Sequence, residues 1–311
     1  MAENPSINHP GPDTRSMIWP VLALLTACCQ SGQDLLARRL LKRSGLTSRL
    51  VMGVGCLMAA LVALPLTWIP GPTPQWPGLL HALVATALVN GLAFWAYGRA
   101  LRRGELSLVV PLLNLSPLVL LISAWLLLGE TPGPGSLAGM VLIVLGALRL
   151  GGTDADPSRG ILAAPGARWM LLVALLWGIG AGIDKVGVLA SSSQAWVVGL
   201  NLVVGLPLTL SALAAGEGRS LGVPSQDGEF WQSNWASLLL FGGIGALGMA
   251  MQMEALQRTA VVNVIAIKRL STLFSAAAGG MWLGEPRPDL RLPAVALMLA
   301  GAVLILMSPN G

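Results

Sequence analysis

Ten long apolar stretches recur along these 311 residues, at about 17–37, 50–69, 79–98, 107–128, 135–150, 168–190, 193–214, 236–256, 260–283 and 291–308. A helix needs about 20 such residues to cross a hydrocarbon core of roughly 30 Å, and the spacing leaves only short connectors between the stretches. Water cannot be the solvent for this surface: 54% of residues are hydrophobic and 11% charged, against about a quarter charged in soluble domains. The 38 Gly and 21 Pro fit the same conclusion, because neighbouring membrane helices can satisfy the backbone groups that these residues free. The predicted fold class is an all-α integral membrane protein of ten transmembrane helices. Helix-stop signals such as Pro70-Gly71-Pro72 and the segment 129–135 separate the spans.

The longest connectors are 151–167 and 215–234, and the first divides the spans five and five. Shifting the chain by 155 positions lays Leu128-Gly129-Glu130 on Leu283-Gly284-Glu285, Ala100-Leu101 on Ala255-Leu256, Arg103 on Arg258, Ser116 on Ser271 and Gly146 on Gly301. A shift of 150 lays Gly32 and Asp34 on Gly182 and Asp184. One shift that aligns so many unlike residues in order indicates an internal repeat. Five crossings per half, an odd number, make the second half enter the membrane in the opposite sense, the inverted repeat of many secondary transporters. The expected organisation is a flexible tail over 1–16, a first five-helix repeat over 17–150, a linker over 151–167 and a second repeat over 168–308. The tail lacks the basic start and short apolar core of a signal peptide.

The ordered set Ala100-Leu101, Leu115-Ser116-Pro117, Leu128-Gly129-Glu130 and Gly146, echoed by Ala255-Leu256, Leu283-Gly284-Glu285 and Gly301, resembles the EamA domain of the drug/metabolite transporter superfamily. The resemblance covers about residues 17–308 and departs from the family pattern at Arg269, where an apolar or small residue is usual. It implies a ten-helix carrier with a central cavity lined by spans one to four and six to nine, moving metabolites, often outward.

Charge inside a bilayer costs roughly 2.5–3.5 kcal/mol on insertion scales, so each retained charge calls for a partner or a watery cavity. Asp34 falls near the far end of span one and Asp184 near that of span six; Lys268 and Arg269 fall about a third of the way into span nine. Counting crossings puts Asp184 at the depth of Lys268 and Arg269, and Asp34 at the depth of Asn114, the repeat counterpart of Arg269. Asn90, Tyr97 and Gln252 are further polar candidates on spans three and eight. The functional reading has Lys268 or Arg269 holding an anionic substrate group and an aspartate taking a coupling proton. The plainer alternatives are an Asp184–Arg269 ion pair that only ties two helices, and an Asp34–Arg38 pair one turn apart. Gly178, Gly180 and Gly182 have no strand before them, so they read as helix packing and not as a nucleotide loop. Glu130 and Glu285 read as caps for the helix that follows each.

Nucleic acid is excluded as a partner: the +5 net charge gathers into no basic face with interleaved aromatics. Cys28, Cys29 and Cys56 lie within apolar runs and read as packing residues. No constellation suggests a catalytic residue, a metal or a cofactor, and His9 and His81 are too isolated to serve. The partners expected are a small-molecule substrate, membrane lipids and, as candidate coupling ion, protons; no pattern addresses oligomeric state. Cations from Arg38 to Arg291 crowd the connectors after odd-numbered spans, whereas the other side carries Arg15, Lys185 and Arg258. The positive-inside rule then places both termini outside the cytoplasm, whereas the family resemblance implies cytoplasmic termini. The leading expectation is an alternating-access secondary transporter of the inner, cytoplasmic membrane, with a lipid or lipid-linked sugar translocator as alternative. An intramembrane enzyme and a non-transporting scaffold are the alternatives from other classes.

Overall fold

The computed structural model describes residues 18–43, 45–69, 71–105, 109–152, 165–222, 234–275 and 292–308. The expected tail and most of the expected inter-repeat linker lie outside them, as do the last third of span nine and Glu285. Among the described residues the chain is helical throughout, without strands. We label the helices α1 (Trp19–Arg43), α2 (Ser48–Ala63), α3 (Trp76–Arg103), α4 (Ser116–Leu128), α5 (Pro134–Gly152), α6 (Ala167–Leu189), α7 (Ser193–Ala214), α8 (Asn234–Leu256), α9 (Val261–Lys268) and α10 (Leu292–Met307). Short 3-10 segments extend α2 (Leu64–Trp68), precede α4 (Val110–Leu115) and follow α7 (Glu217–Gly222).

Local chemistry sets many of the boundaries. The Thr47 and Ser192 hydroxyls accept from the Leu50 and Ala195 N–H groups at 3.3 and 3.1 Å, capping α2 and α7. Pro77 and Pro117 occupy the first turns of α3 and α4, where a missing N–H costs nothing. α4 stops at Gly129, whose φ of 66° lies in the left-handed region and closes the last turn onto the Trp125 and Ala124 carbonyls.

Among the described residues, six helical stretches are long and apolar enough to cross a membrane: 48–68, 76–103, 110–128, 167–189, 193–214 and 235–256, with shorter apolar helices at 134–149 and 293–307. The two remaining spans expected from the sequence, α1 and α9, fall short for informative reasons. α1 runs on to Arg43 instead of ending near 37, and carries Gln30, Gln33, Asp34, Arg38 and Arg39 inside it. The ninth span, read from the sequence as continuous, is broken: α9 ends at Lys268, Arg269-Leu270 forms a turn, and helix resumes at Ser271–Ser275. The first half has the same interruption, since the 3-10 segment Val110–Leu115 sits 155 residues earlier and α4 begins at Ser116, the repeat counterpart of Ser271.

Packing follows the repeat. α3 packs on α6 and α1 on α8; α2 packs on α8 and α3 on α7; α4 packs on α6 and α1 on α9; α2 meets α7 and α5 meets α10. Exchanging α1–α5 for α6–α10 converts each of the first six pairs into another member of the set and leaves α2–α7 and α5–α10 unchanged. Large apolar side chains such as Leu88, Ile122, Leu210 and Met307 point outward, as a lipid-facing surface requires. Small residues set the closest crossings: a Cβ on Gly139 of α5 would lie 2.5 Å from the Gly301 carbonyl oxygen of α10. A Cβ on Gly243 of α8 would meet nothing within 4 Å. We therefore expect Gly139→Ala to cost about 1–3 kcal/mol by overpacking and Gly243→Ala to cost nothing, read as apparent Tm of the purified protein in detergent.

Candidate functional site: a polar cavity between the halves

α1, α2, α3, α6, α7, α8 and α9 enclose a central cavity of about 80 Å³, measured over the positions a water centre can take. One water needs about 10–15 Å³ on that measure, so the chamber holds a handful. Part of its lining is apolar and aromatic (Phe94, Trp177, Phe241, Met253), and polar side chains from six helices also line it. Six of the eight residues singled out from the sequence line it: Asn90 and Tyr97 from α3, Asp184 from α6, Gln252 from α8, and Lys268 and Arg269 at the break of α9.

The ion pair weighed between Asp184 and Arg269 is not formed. Asp184 accepts from Asn90 Nδ2 at 3.4 Å, and Asn90 in turn donates to Thr86 Oγ1 at 2.6 Å. The Arg269 guanidinium reaches across to α4 and donates to Ser116 Oγ at 2.6 Å, while its Nε is buried without a partner. Lys268 donates from Nζ to Gln252 Oε1 at 2.6 Å. Among the described residues, then, Asp184 and the two cations border one space without neutralising each other.

Asp34 and Asn114 do not line the chamber. Asp34 is fully buried behind it, accepting from Gln30 Nε2 at 2.9 Å, from the Tyr97 hydroxyl and from Ser275 Oγ at 2.8 Å. Arg38 is spent elsewhere, donating to the carbonyl oxygens of Leu101 (2.6 Å) and Gly104 at the end of α3. Asn114 donates to Pro111 O at 3.0 Å and Thr272 Oγ1 at 3.3 Å, inside the contact between the two helix breaks. Sequence reasoning passed over Gln30, which links the cavity to Asp34, and also Thr26, Asn201 and Trp177. Gln30 carries a usable signal, a polar residue one turn before an intramembrane aspartate. Trp177 carries another, a tryptophan at mid-helix, far from the interfacial positions this residue prefers.

One end of the chamber is tied by charge. Glu130, just past α4, pairs with Lys185 at the end of α6 and accepts the Val261 N–H of α9 at 2.9 Å. It thus caps α9, from the other half of the chain, and not the following helix α5 as its sequence position suggested. Lys185 also donates to Thr259 O at 2.8 Å. Nearby, Glu254 pairs with Arg258 and accepts from Ser193 Oγ at 2.8 Å, a helix-end role outside the cavity. The three glycines of α6 face neighbouring helices: Gly178 and Gly182 face α4, and Gly180 lies under the Asn90 amide.

The family profile described as the EamA-like transporter family matches residues 17–151 and again 164–307. No curated protein matches the chain. A protein of solved crystal structure, described only as a protein, is similar in fold, with a TM-score of 0.62 over 94% of this chain and 98% of that one at 18% identity.

Lys185→Met would leave Glu130 only the Val261 N–H. We expect a loss of about 1.5–3 kcal/mol, the usual cost of deleting a hydrogen bond to a charged group, seen as a lower apparent Tm in detergent. Glu130→Gln, which keeps an acceptor for Val261, should lose less than Glu130→Ala.

Proposed function

We propose, on the premise that this chain belongs to the EamA-like transporter family and is a multi-pass membrane protein, that it is a secondary transporter carrying a small polar or amphipathic metabolite across the cytoplasmic membrane. The reading takes the ten helices as ten crossings in two inverted halves, and the cavity between those halves as the binding site. One observation carries it: Asp184, Lys268 and Arg269 border the same internal space with no ion pair among them. Charges kept in hydrocarbon without mutual neutralisation are stabilised by whatever enters the space they share. Buried charges that served only to join helices would be paired directly, as Glu130 and Lys185 are.

In this reading Lys268 and Arg269 hold an anionic group of the substrate, with Asn90 and Gln252 orienting it. Asp184 is the countercharge across the chamber and the group that exchanges a proton with the aqueous side. Asp34, sealed behind Tyr97 and Gln30, sets the position of that wall. The interruptions before α4 and after α9 supply the joints: each half can tilt about its own interruption while Arg269–Ser116 and Asn114–Thr272 hold the two together. Broken helices at the repeat interface are a recurring way of building a transport site at mid-membrane.

The test is uptake by purified protein in liposomes over a panel of amino acids, sugars and organic anions, with and without a pH gradient. Removing the guanidinium in Arg269→Met deletes a charge-assisted contact worth about 1.5–3 kcal/mol, so the KM for the transported compound should rise roughly 10- to 150-fold. Asp184→Asn should abolish the response to the pH gradient while leaving exchange of substrate measurable. Full transport by Arg269→Met would refute the assignment of that residue.

A further inference from the structure

A second concavity, of about 360 Å³, opens at the far end of α3, between Trp95, Arg99, Arg102 and Arg103 on that helix and Arg49 at the start of α2, with Glu217 on its rim. It belongs to no part of the transport site. We propose that this pocket binds the phosphodiester head group of an anionic membrane phospholipid.

The charge balance comes first. Glu217 is fully engaged, accepting from the Thr47 hydroxyl and pairing with Arg49. Partial burial works to raise its pKa, but the hydrogen bonds from Thr47 and Arg49 outweigh that and hold it below the ordinary carboxylate value. It is therefore an anion already spoken for. Arg99, Arg102 and Arg103 make no ion pair among the described residues, and Arg102 and Arg103 are exposed. A concave site with three guanidinium groups that no carboxylate pairs among the described residues selects an anion, and their planar donor forks match phosphate oxygens two at a time.

Position supplies the second argument. The Trp95 and Trp169 rings meet edge to face at 5.2 Å, Arg99 lies 4.2 Å over the Trp95 ring, and Arg103 lies 5.9 Å from the Trp169 ring. Tryptophans with one apolar and one wet edge settle at the boundary of hydrocarbon and head groups. At 1.5 Å per residue, Arg99 to Arg103 stand about 6 to 12 Å beyond Trp95 along α3, which is where lipid phosphates lie. Stacking on the tryptophans also fixes Arg99 in advance, so less side-chain freedom is lost when an anion arrives. A zwitterionic lipid would bring its own cation into an already cationic pocket, so the net-anionic lipid is favoured.

The experiment follows the apparent Tm of the full chain in lipid nanodiscs of phosphatidylcholine containing increasing phosphatidylglycerol, with inorganic phosphate added to the detergent-purified protein as a separate arm. Binding to the folded state raises Tm. Wild type should rise with phosphatidylglycerol, and R102Q/R103Q should need about tenfold more of it or more for half the effect. Both side chains are exposed and make no ion pair among the described residues, and Arg103 gives up only its contact at 5.9 Å with the Trp169 ring, so the variant should stay close to wild type in pure phosphatidylcholine; R102Q alone should fall between the two. R219Q, which removes an exposed arginine outside the pocket, should respond as wild type does. The proposal fails if R102Q/R103Q responds like wild type, or if R219Q weakens the response as much, since surface potential would then be the cause. It fails equally if inorganic phosphate reproduces the rise without lipid, because the ligand would then be a soluble anion.

Discussion

A helix cannot be interrupted inside hydrocarbon without leaving backbone groups and side-chain dipoles in need of partners, and this chain interrupts two of them at repeat-related positions. The solution is reciprocal. Arg269, in the turn that breaks the ninth span, donates to Ser116, the first residue of α4. Asn114, in the 3-10 segment that precedes α4, donates to Thr272 just past the break in the ninth span. Each interruption is completed by the other half, so the centre of the molecule holds together only when both repeats are present. The cavity, the packing of α6 against α3 and α4, and the burial of Asp34 against Ser275 are all arranged around that crossing.

Close approach of the surrounding helices depends on the absence of side chains at a few points. Gly180 leaves room for the Asn90 amide, and that amide is what meets Asp184. A methyl group at Gly245 would collide with Gln33, a cavity-lining side chain on α1. Where lipid is the solvent, burial of apolar surface gives helices no reason to associate, and tight contact through small residues together with a few internal hydrogen bonds must do so instead. Glycine in these helices therefore has two roles, drawing backbones together and giving polar side chains the space to turn inward.

The repeat and the membrane environment were legible in the residues because both rest on pattern: long apolar runs, and one shift that aligns unlike residues. The break after Lys268 was not legible, since Val261–Ser275 is apolar or small at nearly every position and nothing like Pro or Gly marks the interruption. What accompanies the break is tertiary, the hydrogen bond from Arg269 to Ser116 in the other half. The cap on α9 was misassigned for the same reason: a carboxylate after α4 could serve any helix start nearby, and the fold brings Val261 to it from 131 residues away. Of the eight candidates chosen from the cost of polarity in hydrocarbon, six line the cavity. That criterion could not separate Asp184, which faces the cavity, from Asp34, which faces three hydrogen-bond donors behind it, because both are equally improbable in an apolar run.

The departure from symmetry at the centre is what the proposed carrier role would require. A scaffold of two equivalent halves, left chemically equivalent, would offer a ligand the same contacts from either side and no means of telling its ends apart. Here the frame is repeated and its contents are not: Arg269 stands where the first half has Asn114, and Lys268 where it has Leu113. Both cations therefore belong to one half, while Asn90 and Tyr97 on the opposite wall belong to the other. A ligand with one charged end and one neutral end has a single favourable orientation in such a chamber. In the proposed transport cycle that orientation would survive a tilting of one half against the other, because the charged end would stay with the half that holds it. On that proposal the symmetric shell would serve the motion and the asymmetric lining the recognition.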